Sequence, residues 1–431
     1  YCAKSACGKA NQAAVSLDQD IILGMRSWYG QGTPLSRNCA ALLGLQLSPN
    51  QMRTPAVIIE HIAAAQASVL VMHSLLSWLP IAAALGEAQQ RGVDVRVLLD
   101  VGCTKSGTLQ DSGGRRRAGS MVDYLTSALN ISTRTVRFNG PSRTPEGRKP
   151  LFHHKSFVID GQRVCLGSAN LFYEAIASYD EDYACFQSSR LARAFTHFFR
   201  QRSEGGWPSQ VTGCTGYGIT GSTGNGPSRV TGNETCCTAE EACTSAGTVC
   251  DGRGTAVVEG PFFGPECPLD GVMERYIRAA QWRLRLAFYK LTWSPLIDLL
   301  VQAATRGVNV SVFTGTFAYA GTLKNDALLR LDLRQFHPAR AAGNGSTLFH
   351  HKVMLVDDDI VLMGSVNAMK KSLRTDSEDL TVFRSRQLAA RFDDLCESHR
   401  QFKPARLVPC GQLRPTRAQI AHFELCSLGA L

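Results

Sequence analysis

The residues of this chain best suited to chemistry come in two matched sets. His153, Lys155, Asp160, Ser168, Asn170 and Glu181 recur at a constant offset of 197 residues as His350, Lys352, Asp357, Ser365, Asn367 and Glu378. Each set reads HxKxxxxD, then a Gly-Ser-x-Asn tetrad ending at Asn170 or Asn367, then a Glu-Asp pair. In an extended strand residues two apart share a face, so His153 and Lys155 point one way, as do His350 and Lys352, while His154 and His351 point the other and are expected to pack. An imidazole, an ammonium and an amide make half of an anion site. Two halves brought face to face would surround one phosphate with two lysines and two asparagines and put a histidine on either side. That suits in-line displacement at phosphorus, with one histidine attacking and the other protonating the leaving oxygen. The lysines would stabilise the charged transition state, so the chemistry requires no metal and no cofactor. Glu181 and Glu378 are each expected to hold a histidine in one tautomer through its second ring nitrogen.

The elements that must position these residues repeat as well. Trp78-Leu79-Pro80 and Trp293-Ser294-Pro295, related by an offset of 215, each precede an apolar-periodic run that ends in Arg91-Gly92-Val93 or Arg306-Gly307-Val308. Proline near the first helical position costs no hydrogen bond, and the glycine stops the helix. Val93 to Leu99 and Val308 to Phe313 then read as strands. The tryptophans are expected in the core. The chain is therefore an internal duplication of one α/β unit, and the different offsets place a longer connection before the first HxK strand.

The duplicated HxKxxxxD and GSxN motifs resemble the phospholipase D superfamily of HKD phosphodiesterases, over roughly residues 55–200 and 268–400. The resemblance implies two similar α/β/α lobes about a pseudo-twofold axis, with the active site at their interface. It also implies a phosphohistidine intermediate, with His153 as nucleophile and His350 as general acid. Asp160, Ser168, Glu181, Asp357, Ser365 and Glu378 would support the groups that touch phosphate. Both motifs are intact, which argues against a catalytically silent binding protein. The expected organisation is an arm over 1–50, a first lobe over 51–203, an inter-lobe segment over 204–267, a second lobe over 268–405 and a tail over 406–431.

A chain of 431 residues with 44% apolar content can form two lobes of ordinary domain size. No apolar run reaches the length of a membrane span, and no charged-then-apolar leader stands at Tyr1, so any signal peptide is expected to have been removed. Six of the 15 cysteines, Cys214, Cys236, Cys237, Cys243, Cys250 and Cys267, fall in the Gly/Ser/Thr-rich inter-lobe segment. Such a segment buries little core and is expected to be stapled by disulfides. It has no histidine and no CxxC, which disfavours zinc. Cys165 and Cys185 align with Leu362 and Val382 of the second copy, hence core positions, either bonded across adjacent strands or buried as thiols. Sequons at Asn130, Asn233, Asn309 and Asn344 agree with a glycoprotein of a secretory, extracellular or endolysosomal compartment.

A net charge of +10 suits a polyanion, either nucleic acid or an anionic membrane surface in peripheral contact. Arg115, Arg116 and Arg117 lie in the long first-lobe connection, Arg143, Arg148 and Lys149 lead into the first HxK strand, and Arg334, His337 and Arg340 precede the second. Their clustering favours a nuclease with a basic groove. The alternative is a phospholipase D acting on phospholipid head groups, with possible transfer to alcohols, for which Phe317, Tyr319 and Leu323 would form an apolar lip.

Overall fold

The structure is a computed structural model that describes residues 39–47, 52–136, 149–205, 255–323, 325–336 and 348–400. The first lobe contributes β1 (Cys39–Leu47), β2 (Ser68–His73), β3 (Asp94–Asp100), β4 (Ser132–Val136), β5 (Lys155–Ile159), β6 (Arg163–Gly167) and β7 (Asp182–Gln187). The second repeats them as β8 (Thr255–Phe263), β9 (Arg283–Leu291), β10 (Asn309–Phe317), β11 (Asp332–Gln335), β12 (Lys352–Val356), β13 (Ile360–Gly364) and β14 (Asp379–Arg384). All fourteen form one sheet in the order β11-β10-β9-β12-β13-β14-β8-β1-β7-β6-β5-β2-β3-β4. Each half runs in the mirror order of the other, and the halves meet where β1 pairs antiparallel with β8, Ala40 opposite Ala256.

The duplication therefore folds as expected, but its bounds move. β1 lies in the stretch expected to be an arm, and β8 in the stretch expected to be a disulfide-stapled connector. The first strand is covered on both faces: Leu43 is buried in the first-lobe core, while Ala40, with Leu42 and Leu45, packs in the core on the other side of the sheet. Each seam strand is the seventh of its lobe, so neither half is complete without chain outside the expected lobe limits.

Helices sandwich the sheet. On one face α1 (Arg53–Ala63) and α2 (Leu79–Gln90) pack Ile58, Ile62, Ile81 and Leu85 on Val69, Val71, Val95 and Val97. In the second lobe α4 (Leu269–Ala279) and α5 (Ser294–Thr305) do the same with Met273, Ile277, Ile297 and Leu300. Pro80 and Pro295 stand in the first turns of α2 and α5, and Gly92 and Gly307 follow them in the left-handed region at φ 87° and 94°, as their spacing requires. On the other face α3 (Ser189–Gly205) and α6 (Arg386–Ser398) share a single core that spans both lobes. At its centre Phe186 and Phe383, themselves repeat partners, stack with ring centroids 4.3 Å apart. Trp78 is 8% exposed in the first-lobe core, and Trp293 packs against the second.

Cys165 and Cys185 stand directly opposite on β6 and β7 and are disulfide-bonded. Cys267 is also disulfide-bonded, whereas Cys214, Cys236, Cys237, Cys243 and Cys250 lie outside the described residues, as do the sequons at Asn233 and Asn344. Asn130 and Asn309 are exposed. No helix among the described residues is long and apolar enough to cross a membrane.

Candidate active site

Both HxK motifs enter the sheet at the interface between the lobes. Just before β5, Phe152 bridges to Ser377 of the second lobe, and before β12, Leu348 and Phe349 pair with Tyr179 and Asp180 of the first. Each motif is thus docked on the chain leading into the other lobe's Glu-Asp pair. His153 N donates to Ser377 O at 2.8 Å and His350 N to Asp180 O at 2.8 Å.

The side chains cross over in the same way. His153 Nδ1 lies 3.0 and 2.9 Å from the two carboxylate oxygens of Glu378, and His350 Nδ1 lies 2.8 Å from Glu181 Oε2. His154 Nδ1 lies 2.8 Å from Asp379 Oδ1, and His351 Nδ1 lies 3.1 Å from Asp182 Oδ1. A carboxylate on Nδ1 fixes the tautomer and leaves Nε2 of His153 and His350 for chemistry. His154 and His351 are fully buried, so they lock the lobes together, as their outward phase along the strand implied.

Lys155 and Lys352 are each 0% exposed, with Nζ donating to the carbonyl of the preceding motif histidine at 2.8 and 2.7 Å. Burial, and then the proximity of Lys352, lowers Lys155 to about 7. Burial lowers Lys352 to about 8. Burial and the two lysines hold His153 and His350 well below the usual imidazole range. Burial pushes Glu378 up to about 7, against the pull of Lys155, Ser365 and Ser372, and holds Glu181 well above the carboxylate range. Asn170 and Asn367 are 5% and 6% exposed, and among the described residues their Oδ1 atoms have no hydrogen-bond partner. An anion satisfies the lysine ammonium groups and the amide Nδ2–H donors, whereas the Oδ1 acceptors call for a donor.

The Gly-Ser pair of each tetrad has a geometric reason. A Cβ at Gly167 would stand 2.2 Å from the carbonyl of Asp182, and one at Gly364 2.2 Å from that of Asp379. Only glycine permits this approach, which places Ser168 Oγ 2.5 Å from Glu181 and Ser365 Oγ 2.6 Å from Glu378.

Asp160 and Asp357 do not join the cluster, contrary to the expectation that they support it. They sit past the far ends of β5 and β12, five residues from Lys155 and Lys352, roughly 16 Å at the rise of a strand. Asp160 Oδ1 accepts from the N–H groups of residues 66 to 68 at 3.0, 2.8 and 3.2 Å, and Asp357 repeats this with residues 281 to 283. Both adopt left-handed φ, 54° and 53°, which aspartate tolerates better than most residues.

Arg115, Arg116 and Arg117 are exposed on a small hairpin in which Arg117 pairs with Asp111 at 2.8 Å. Lys149 is exposed just upstream of Leu151. Arg143, Arg148, His337 and Arg340 lie outside the described residues, and Arg334 pairs with Asp332 at 3.0 Å. Phe317, Tyr319 and Leu323 pack on the second-lobe core instead of forming an open lip, with Tyr319 OH donating to Asp298 at 2.6 Å.

Several site residues had no role assigned from sequence. Asp182 and Asp379 were visible in the repeat, but their partners lie in the other lobe. His73 breaks the repeat: it faces Lys155 across the sheet where Phe288 faces Lys352. Tyr289 lies beside the second half-site, its ring 5.0 Å from that of His350.

Two imidazoles, two buried lysines and two amides at one interface define a phosphoryl-transfer enzyme. The family model of the cardiolipin synthase PLD-like domain matches residues 58–203 and 273–400, so the chain belongs to that phospholipase D-like family. Among solved structures it is similar to phosphatidylserine synthase of Haemophilus influenzae Rd KW20 (16% identity, TM-score 0.58, covering 96% of this chain and 98% of that one). It is also similar to polyphosphate kinase of Porphyromonas gingivalis (13%, TM-score 0.51, 90% and 56%). A third similarity is to Nuc, a phospholipase D family member of Salmonella typhimurium (23%, TM-score 0.30, 39% and 97%). For the first two, at these identities, the likeness is one of fold. No curated protein was found to match.

Proposed function

We propose that this chain is a metal-independent phosphodiesterase that hydrolyses single strands of nucleic acid through a phosphohistidine. His153 Nε2 attacks phosphorus while His350 Nε2–H protonates the leaving oxygen. Water then attacks the phosphohistidine, giving its proton to His350, and the P–N bond breaks. Lys155 and Lys352 carry the charge of both transition states. The observation that carries this reading is the crossed pairing His153–Glu378 and His350–Glu181, which leaves both Nε2 atoms for chemistry, with His153 attacking as the neutral Nδ1–H tautomer and His350 giving its proton as the imidazolium.

Two observations favour nucleic acid: the exposed Arg115-Arg116-Arg117 hairpin, and the inward packing of Phe317, Tyr319 and Leu323. The second reading is phospholipid, favoured by the family model's description as cardiolipin synthase. The disulfides at Cys165–Cys185 and Cys267 support a secretory or endolysosomal location.

The test is cleavage of a single-stranded oligonucleotide and of phosphatidylglycerol vesicles, in chelator and across salt. On the nuclease reading, each phosphate contacted contributes about −0.7 to the slope of log K against log salt. Replacing Arg115, Arg116 and Arg117 by alanine flattens that slope without changing hydrolysis of bis(p-nitrophenyl) phosphate. Vesicle turnover with no oligonucleotide cleavage would establish the phospholipid reading instead.

A further inference from the structure

The two half-sites are copies, yet their glutamates are not equally supported. Glu378 accepts from two buried hydroxyls, Ser365 Oγ at 2.6 Å and Ser372 Oγ. Glu181 accepts from Ser168 Oγ at 2.5 Å, and its Oε1 is buried without a hydrogen-bond partner among the described residues. The repeat offset that maps Ser168 to Ser365 maps Ala175 to Ser372. Both occupy the short helices that follow the tetrads, Tyr173–Ser178 and Lys370–Arg374, and both are buried. This hydroxyl is one difference between the two carboxylate environments, and another is the buried Asp376 beside Glu378, where the repeat places Tyr179 in the first copy.

We propose that Ser372 is a positioning residue that sets the division of labour between the histidines, making Glu378 the stronger acceptor and His153 the better nucleophile. A hydrogen bond donated to a carboxylate favours its charged form, and an unpartnered buried oxygen disfavours it. Glu378 as an anion raises electron density on His153 and offsets the positive charge that its ring gains when Nε2 bonds to phosphorus. Glu181, the poorer acceptor, leaves the proton on His350 more readily given up to the leaving oxygen. The groups facing Glu378 are His153, His154, Lys155, Ser365, Ser372 and Asp376, and those facing Glu181 are His350, Lys352, Lys155, Asp182 and Ser168. Ser372 Oγ also accepts from Asn367 N at 3.0 Å, so a purely structural role is the rival explanation.

This inference rests on the phosphohistidine reading and is tested with the full-length protein, its variants and bis(p-nitrophenyl) phosphate. Ser372→Ala lowers kcat by roughly ten- to a hundredfold, the scale of one hydrogen bond to a charged group, with KM little changed. The acid limb of its kcat/KM profile moves to lower pH, because a weaker anion at Glu378 lowers the pKa of His153. Ser372→Thr, which keeps the hydroxyl, restores both. The converse variant Ala175→Ser, which leaves Asn367 untouched, moves the alkaline limb to higher pH. Wild-type kcat and limbs in Ser372→Ala, or a fall in kcat with both limbs unmoved, would overturn the proposal. If Ser372→Ala does not fold, Ala175→Ser decides alone, and an unmoved alkaline limb overturns it. Failure of the wild type to form phosphohistidine at His153 is a different result and removes the reading beneath it.

Discussion

Glu378 of the second lobe holds His153 of the first, 2.9 Å from Nδ1, and Glu181 of the first lobe holds His350 of the second at 2.8 Å. Neither half-site is complete within its own lobe, so lobe docking and catalytic competence are one event.

Exchanging the two glutamates for glutamine should separate the two proton roles. Glu378→Gln removes the anion behind the nucleophile and should slow turnover by roughly 10²–10⁴-fold, as loss of a histidine-orienting carboxylate does elsewhere. That loss should be similar for nitrophenyl and alkyl leaving groups. Glu181→Gln acts through the general acid, so its effect should be small with nitrophenolate and large with an alkoxide. Equal leaving-group dependence in both variants would show that the roles are not divided in this way.

The covalent step is checked by acid-quenching with labelled substrate. Label should appear on wild type and be absent from His153→Asn. Loss of label in His350→Asn alone would reverse the two assignments.

The lysines make stability depend on pH and on anions. With folded values of about 7 and 8 against an ordinary 10.5, the folded protein binds fewer protons than the unfolded chain across that window. The contribution of Lys155 and Lys352 to stability is therefore lowest below about pH 7 and rises up to about 10.5. Glu378, raised from 4.5 to about 7, acts oppositely: its contribution falls as pH rises between those values. An anion that binds the cationic lysines should stabilise the protein most below pH 7, by about 2.7 kcal/mol at a hundredfold excess over Kd, and least above pH 9. Thermal unfolding with and without inorganic phosphate at pH 6 and 9 measures this, and an equal shift at both would remove the lysines from the anion site.

Asp160 offers a structural control inside the motif. Its three backbone contacts fix the start of β2, so Asp160→Ala should cost about 2 kcal/mol or more of stability while leaving the pH limbs of the folded fraction where they were. Urea unfolding and a pH–rate profile of the same variant test both halves of this statement. A shifted limb would return Asp160 to the chemistry.

Much of the site is legible in the sequence because it is periodic and local. The strand period alone puts His153 with Lys155 on one face and His154 on the other, and Pro80 and Gly92 mark the ends of α2. The duplication supplies the second copy, and the pairing of Cys165 with Cys185 follows once β6 and β7 are adjacent. What the chain order does not contain is which glutamate serves which histidine, because that depends on β1 and β8 joining two half-sheets about an axis, across some two hundred residues of sequence. The motif aspartates stand away from the chemistry for a local reason: five residues of extended strand carry Asp160 past the end of β5 remote from Lys155. The depressed lysines are also a tertiary result, since Lys155 and Lys352 are ordinary ammonium groups until burial removes their water and, for Lys155, brings the charge of Lys352 within reach.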